Sequence, residues 1–294
     1  MAHTILNKLV IIGVGLIGGS FALALRKAGI VQHIVGVGRS QENMQRALNL
    51  GVIDEMAIDP ASALHNADAV LLAMPVGQTR HIMAQIAPHL EAGTLLTDVG
   101  STKQDVITAA RTCLTDNLKN FVPGHPIAGA ELSGVEAAQA DLFRGKPLIL
   151  TPLAETNPHA LEQVTAWWQS CGAQVSQMNA DEHDKILAAT SHLPHILAFT
   201  LMNHLRNSST NHPDDLLRFA GSGFRDFTRI AGSSPEMWRD ICLANREALL
   251  TQIDAYQNEL KLLQELLKNN EGDALEQAFS QARGMRENWL KNKD

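Results

Sequence analysis

Short apolar runs alternate with amphipathic stretches along the first 180 residues of the chain. Continuous apolar runs predict buried strands over 9–12, 34–37, 69–73, 95–98 and 147–150, and Val122 closes a further short strand. Between the runs, apolar residues recur every three or four positions and predict helices over 16–28, 41–50 and 78–90. Because strands that alternate with helices form a parallel, doubly wound sheet, the predicted fold of this region is α/β.

Beyond residue 180 the strand-like runs stop and helical periodicity continues to the end of the chain. We predict one long helix over 181–205, interrupted or kinked near Pro194. Further on, a stripe of apolar residues has spacings of four and three: Leu249, Ile253, Tyr256, Leu260, Leu263 and Leu267. Such a stripe needs a helical partner, either in its own domain or in a second copy, and we favour a homodimer. The predicted domains are therefore 1–180, α/β, and 181–294, all-α.

A glycine-rich turn with the sequence Gly13-Val14-Gly15-Leu16-Ile17-Gly18 joins the first predicted strand to the first predicted helix. In this context Gly13 makes the tight turn, Gly15 admits a pyrophosphate and Gly18 lets the helix pack closely on the sheet. The first domain is therefore predicted to be a dinucleotide-binding, Rossmann-type domain.

The second predicted strand ends in Gly38-Arg39-Ser40, where an NAD site usually carries an acidic residue for the ribose diol. Without that carboxylate nothing repels a 2′-phosphate, and Arg39 with Ser40 can bind it. We therefore expect NADP as the preferred cofactor, with NAD possible. The alternative is that Arg39 is merely exposed and that Ser40 caps the next helix.

A histidine in a glycine- and proline-rich loop, Gly124-His125-Pro126-Ile127-Ala128-Gly129, is the candidate general base. Ser101 follows the strand 95–98 at the carboxyl edge of the sheet, where it can touch the cofactor or His125, or else cap a helix that begins near Thr102. Glu131 is a candidate for the same cleft, the alternative being a surface carboxylate.

The helical domain carries two further polar motifs. Ser191-His192-Leu193-Pro194-His195 places two histidines three residues apart, and His183 and Asp184 lie two to three turns earlier. Metal binding by this set lacks a firm third ligand, so no metal is expected. The segment 221–229 contains Arg225 and Arg229, and one of these guanidinium groups is suited to binding a substrate carboxylate.

Composition narrows the class of partner. The net charge of −7 and the absence of a basic run argue against nucleic acid. Three widely separated cysteines predict free thiols in a reducing compartment. The sequence shows neither a secretion signal nor an apolar run of about 18 residues. We therefore expect a cytoplasmic protein with a small-molecule substrate and no membrane contact.

Taken together, these motifs resemble those of the prephenate/arogenate dehydrogenase family of tyrosine biosynthesis over nearly the whole chain. The matching segments are the turn extended to Gly19-Ser20, Asp98-Val99-Gly100-Ser101, the His125 loop with Glu131, Ser191 to His195, and Phe224 to Arg229 with Trp238. The resemblance implies an all-helical dimerisation domain after the dinucleotide domain. It also implies that His125 bonds the ring hydroxyl of the substrate, Ser101 orients His125, His195 contacts the substrate and Arg229 binds a substrate carboxylate.

The implied reaction is the oxidative decarboxylation of prephenate, L-arogenate or both, with hydride transfer to NAD(P). Two other classes share some of these features. A β-hydroxyacid dehydrogenase or imine reductase also joins a dinucleotide domain to a helical one, although it often uses a lysine where this chain has histidines. A nucleotide-sensing regulator would bind the cofactor without turnover.

Overall fold

The computed structural model describes residues 5–129, 132–208 and 217–291. The chain divides into two compact units, Met1–Arg246 and Glu247–Asp294. Each unit has its own secondary structure, and the candidate chemistry lies in the first.

A six-stranded parallel sheet with the order β3-β2-β1-β4-β5-β6 forms the centre of the first unit. Its strands are β1 (Leu6–Ile12), β2 (Val31–Val37), β3 (Glu55–Ala57), β4 (Ala69–Leu72), β5 (Leu95–Asp98) and β6 (Phe121–Val122). The helices between them are α1 (Leu16–Lys27), α2 (Gln41–Asn49), α3 (Pro60–Ala63), α4 (Thr79–Ile86) and α5 (Gln104–Cys113). Two apolar clusters hold the core, and this strand order confirms the predicted Rossmann-type fold.

A second sheet of three strands contains the candidate base. Its strands are β7 (Gly124–Pro126), β8 (Pro147–Leu150) and β9 (Gln174–Gln177), and helix α6 (Pro158–Ser170) lies between β8 and β9. β8 pairs antiparallel with β7 and parallel with β9. The predicted strand over 147–150 is thus present, but it holds β7 in place rather than extending the large sheet.

Helical structure follows β9 in the first unit: α7 (Ala180–Leu187), α8 (Leu193–Ser208), α9 (Ser222–Thr228) and α10 (Pro235–Ala244). The predicted interruption near Pro194 is a π-helical turn over Ala188–His192. Pro194 has no N–H to donate to the carbonyl of Thr190, and its ring crowds that carbonyl, so the turn before it widens.

The second unit contains two long helices, α11 (Arg246–Lys268) and α12 (Gly272–Lys291). Much of the predicted apolar stripe is open to solvent: Leu260 is 50% exposed and Leu267 is 60% exposed. On α12, Phe279 and Trp289 are 60% and 54% exposed. Across the described residues, every helix is too short or too polar to cross a membrane.

Candidate active site

The glycine-rich turn leaves room for a ligand where β1 ends and α1 begins. Gly13 has a φ of +100°, and a Cβ there would lie 2.6 Å from the backbone of Ala73. A Cβ on Gly18 would overlap the carbonyl oxygen of Gly13, whereas one on Gly15 would meet nothing within 4 Å. Only glycine suits the first two positions, and the third faces open space at a helix N-terminus, which favours an anion such as a pyrophosphate.

A cleft of about 520 Å³ continues from this turn past the end of β2. Arg39 and Ser40 line it, together with residues from β1, α2 and the segments before and within α4. Ser40 Oγ accepts a hydrogen bond from the backbone N–H of Asn43, so it caps α2. Arg39 is exposed, and the described residues that line the cleft include no aspartate or glutamate. The cleft is therefore suited to a dinucleotide, and its open rim is positively charged.

β7 holds the candidate base, His125, at the carboxyl edge of the large sheet. His125 pairs with Ile149 across β7 and β8 and is 9% exposed. The N–H of Gly124 donates to Asp98 Oδ1 at 3.1 Å, which ties the start of β7 to the end of β5. The strand that carries His125 is thus bonded to both sheets.

A buried ion pair reinforces this link. Lys103 is 0% exposed, and its Nζ donates to Asp98 Oδ2 at 2.5 Å and to the carbonyl oxygen of Gly124 at 2.7 Å. The N–H of Gly100 also donates to Asp98 Oδ2. Because the charges are paired and the surrounding groups bonded, the pair fixes the backbone next to His125 without leaving a buried charge alone.

His125 is the first member of a chain of three polar side chains. Its Nδ1 lies 2.9 Å from His183 Nε2, and His183 Nδ1 lies 2.8 Å from Asp184 Oδ1. All three side chains are buried. α7 thus supplies His183, which contacts Nδ1 of His125, and Asp184, which contacts His183 from the other side.

Asp184 also caps α5 from a distance. Its Oδ1 accepts the N–H of Lys103 and its Oδ2 accepts the N–H of Gln104, each at 2.9 Å. The alternative role for Ser101, capping a helix that begins near Thr102, is therefore wrong: α5 begins at Gln104 and its cap comes from α7. The carboxylate satisfies two helix-terminal donors and favours the positive end of the helix dipole.

Two more histidines lie beyond His183. Asn245 Nδ2 donates to the carbonyl oxygen of Asp184 at 2.7 Å and to His192 Nδ1 at 3.1 Å. One amide group thus bonds to both α7 and the π-helical turn. His195 stacks on Trp238 with ring centroids 3.8 Å apart, and its Nδ1 donates to the carbonyl oxygen of Ser191.

Burial lowers the pKa of three of these histidines, His125, His192 and His195. The pKa of His125 is held well below its usual 6.5, first by burial and then by the neighbouring His183, Lys103 and His192. Burial also brings the pKa of His192 to about 4. The pKa of His195 is lowered by burial and by the charge of Arg229. His125 is therefore an uncharged imidazole at neutral pH, as a general base must be.

Known proteins share both the sequence and the fold. Residues 21–177 match the nucleotide-binding domain of prephenate dehydrogenase, and residues 179–281 match its dimerization domain. The chain is 39% identical to a prephenate dehydrogenase of Bacillus subtilis, covering 96% of this chain and 76% of that one. It is 36% identical to a cyclohexadienyl dehydrogenase of Zymomonas mobilis, with 96% of each chain covered.

The protein belongs to the prephenate dehydrogenase family. The fold agrees: a crystal structure of prephenate dehydrogenase from A. aeolicus, in complex with hydroxyphenyl propionate and NAD+, superimposes with a TM-score of 0.89. That structure is 38% identical and covers 95% of this chain and 97% of its own. The resemblance predicted from the motifs is thus confirmed.

Within this prephenate dehydrogenase fold, the predicted site residues have different surroundings. Ser101 is half-buried, and the structure as described gives its hydroxyl no hydrogen-bond partner. Nδ1 of His125 is hydrogen-bonded to His183 instead. Arg229 is exposed and close enough to His195 to lower its pKa. Glu131 lies outside the described residues. Over the described ranges, no three His, Cys, Asp or Glu side chains group in a way that could hold a metal ion.

Sequence reasoning missed four groups of the site. The sequence pattern presents His183 and Asp184 only as possible metal ligands, and it does not single out Lys103 or Asn245. One signal was available: Asp98 ends a buried strand, and a carboxylate there needs a counter-charge or several donors. The sequence offered no comparable signal for Asn245.

Proposed function

We propose that the protein catalyses the oxidative decarboxylation of prephenate, L-arogenate or both, giving 4-hydroxyphenylpyruvate or L-tyrosine. Membership of the family supports this activity, and the observation that carries it is a buried, uncharged His125 at the carboxyl edge of the dinucleotide-binding sheet. Family membership does not favour the alternatives of a β-hydroxyacid dehydrogenase, an imine reductase or a nucleotide sensor.

His125 accepts the proton of the ring hydroxyl in this reaction. As the O–H bond breaks, its electron pair forms a C=O bond, and the hydrogen on the same carbon leaves as hydride. The dinucleotide held by the glycine-rich turn would supply the nicotinamide that accepts this hydride. The ring carboxylate then leaves as carbon dioxide, its bonding electrons pass through the ring onto the carbonyl oxygen, and that oxygen takes up a proton to give the phenol. The aromatic ring formed in this way makes the reaction effectively one-way. The protein has to align the two rings and keep His125 uncharged.

The remaining predicted residues hold the substrate in this proposal. Ser101 orients or contacts the reacting groups near His125, and His195, fixed by its stacking on Trp238, contacts the substrate. Arg229 binds a substrate carboxylate, and its position near His195 supports that role. Glu131 attracts the ammonium group that arogenate has and prephenate lacks.

The nucleotide cleft is proposed to prefer NADP. Gly13, Gly15, Leu16, Ile17 and Gly18 surround the pyrophosphate. The exposed Arg39 and the Ser40 hydroxyl would bind a 2′-phosphate at a rim whose described lining carries no acidic side chain.

We also propose that the protein is a homodimer and that its two functional domains meet near residue 180. The exposed apolar residues of α11 and α12 favour a partner of the same kind, and the family's dimerization domain matches this region. We assign residues 1–180 to the dinucleotide and 181–294 to substrate binding and dimerisation. All three cysteines are free thiols, which suits the expected cytoplasmic location.

The deciding experiment follows nicotinamide reduction by absorbance with prephenate and with arogenate, each offered with NADP and with NAD. We expect turnover with at least one pair and loss of turnover in His125→Asn. Cofactor binding without turnover of either substrate would instead indicate a sensor, and reduction driven by a small 3-hydroxyacid would indicate the other dehydrogenase class.

A further inference from the structure

Two hydrogen bonds link His125, His183 and Asp184, and the acceptors determine which group donates in each bond. Both oxygens of Asp184 already accept backbone N–H groups of the α5 N-terminus. A carboxylate in that position acts only as an acceptor, because two donors and the positive end of a helix dipole face it. The nitrogen that lies 2.8 Å from Asp184 Oδ1, His183 Nδ1, must therefore carry a proton and donate it.

A neutral His183 that donates through Nδ1 has only a lone pair at Nε2. That lone pair faces His125 Nδ1 at 2.9 Å, so His125 must donate its own Nδ1 proton to it. In an uncharged His125 the other nitrogen, Nε2, is then unprotonated. We propose that His183 and Asp184 are positioning residues that fix this tautomer, so that His125 presents a lone pair at Nε2 to the hydroxyl of the substrate.

The substrate in this statement rests on the proposed function, whereas the tautomer does not. A free imidazole has no such constraint and places its proton on either nitrogen. With the proton at Nε2, His125 would donate to the hydroxyl oxygen and could not remove its proton. Fixing the tautomer therefore decides whether His125 acts as a base.

Burial first, and then the neighbouring charges, keep His125 uncharged. The charges of His183, of Lys103 just before α5, and of His192 in the π-helical turn each lower the pKa of His125. The charge of Lys103 is itself paired with Asp98. A proton added to the two histidines would make His183 a double donor and would reverse the bond to His125. Activity should therefore rise with pH through the pKa of His125, and this limb should lie below pH 6.5.

The direct test is the tautomer of His125 in the intact protein, measured by nitrogen-15 NMR of labelled histidine at pH 7.5. The resonances are assigned by the loss of signals in His125→Asn. We expect the Nδ1 of His125 to be protonated and its Nε2 to resonate in the range of an unprotonated nitrogen. A His125 that carries its proton at Nε2 would overturn the proposal whether or not prephenate or arogenate is turned over.

Two substitutions of His183 separate positioning from packing. His183→Gln offers an amide oxygen that can accept from His125 Nδ1, whereas His183→Met fills a similar volume without a strong acceptor. We expect kcat to fall roughly 10- to 100-fold in the Met variant, as part of what a positioned base contributes, and no more than about threefold in the Gln variant. In the Met variant the Nε2–H tautomer of His125 should appear in the spectrum.

The comparison of the two variants decides the role of His183. Equal kcat in the Gln and Met variants at matched melting temperatures would assign His183 a purely structural role and contradict the proposal.

Discussion

The nucleotide cleft and the histidine cluster are built in different ways. Several segments at the carboxyl edge of the large sheet line the cleft, and the backbone at Gly13 and Gly18 creates the space. The cluster is formed by buried side chains from segments as far apart as Asp98 and Asn245. In the cleft the important property is the absence of side chains, whereas in the cluster each polar group depends on a neighbour.

This difference predicts how each region responds to substitution. Groups at the rim of the cleft are solvated, so losing one removes a single interaction. In the cluster, losing one partner leaves another buried polar group without its bond, and the cost includes that group's desolvation. We therefore expect large effects in the cluster and modest ones in the cleft.

The largest effect should come from His125→Asn. We expect turnover to fall about 10²- to 10⁴-fold, the contribution of a positioned general base, while cofactor affinity is unchanged. Steady-state kinetics and cofactor titration by fluorescence check this together. Near-normal turnover would remove His125 from the mechanism.

Lys103→Met should weaken the fold itself. The substitution leaves the Asp98 carboxylate buried without its cation, which typically costs about 3 to 5 kcal/mol of unfolding free energy. Denaturant unfolding measures the change. Lys27→Met is the matched control, because the Lys27–Asp141 pair is exposed and should contribute little. Similar losses in the two variants would refute the contrast between buried and exposed pairs.

The sensitivity of the cluster to acid should be visible in His192. Its folded-state pKa of about 4 lies below the 6.5 of an unfolded histidine, so between these values the unfolded chain binds the extra proton and stability falls as pH falls. The loss should be roughly 3 kcal/mol by pH 4. His192→Leu should reduce this pH dependence of the unfolding free energy, and an unchanged slope would show that His192 is already protonated in the folded protein.

Arg39→Ala should have the smallest effect and should act on the cleft alone. If Arg39 binds a 2′-phosphate, its loss removes a charge-assisted bond of about 1.5 to 3 kcal/mol and raises KM for NADP by roughly 10-fold or more. KM for NAD and kcat should hardly change. Combining it with Gly38→Asp should favour NAD, since a Cβ there meets only the flexible Met44 side chain. A wild-type protein that prefers NAD would disprove the NADP assignment.

The sequence predicted local features better than distant ones. The glycine-rich turn and the alternation of strands and helices follow from short-range patterns, and His125 stands out because glycine and proline surround it. The bond between His125 and His183 joins residues 58 positions apart, so no local pattern reveals it. The start of α5 was misplaced for the same reason, since its cap is Asp184. β7 has weak strand propensity and forms because β8 pairs with it.

The widened turn over Ala188–His192 determines the directions in which His183 and His192 point around the helix axis. In a regular helix each residue advances about 100°, so His183 and His192, nine positions apart, would point in roughly opposite directions. Taking up one extra residue in the turn removes about 100° of rotation and brings the two rings to within a quarter turn of each other. By widening the turn by one residue, Pro194 thus changes the relative orientation of the two rings, and without it they would not both face the same cluster.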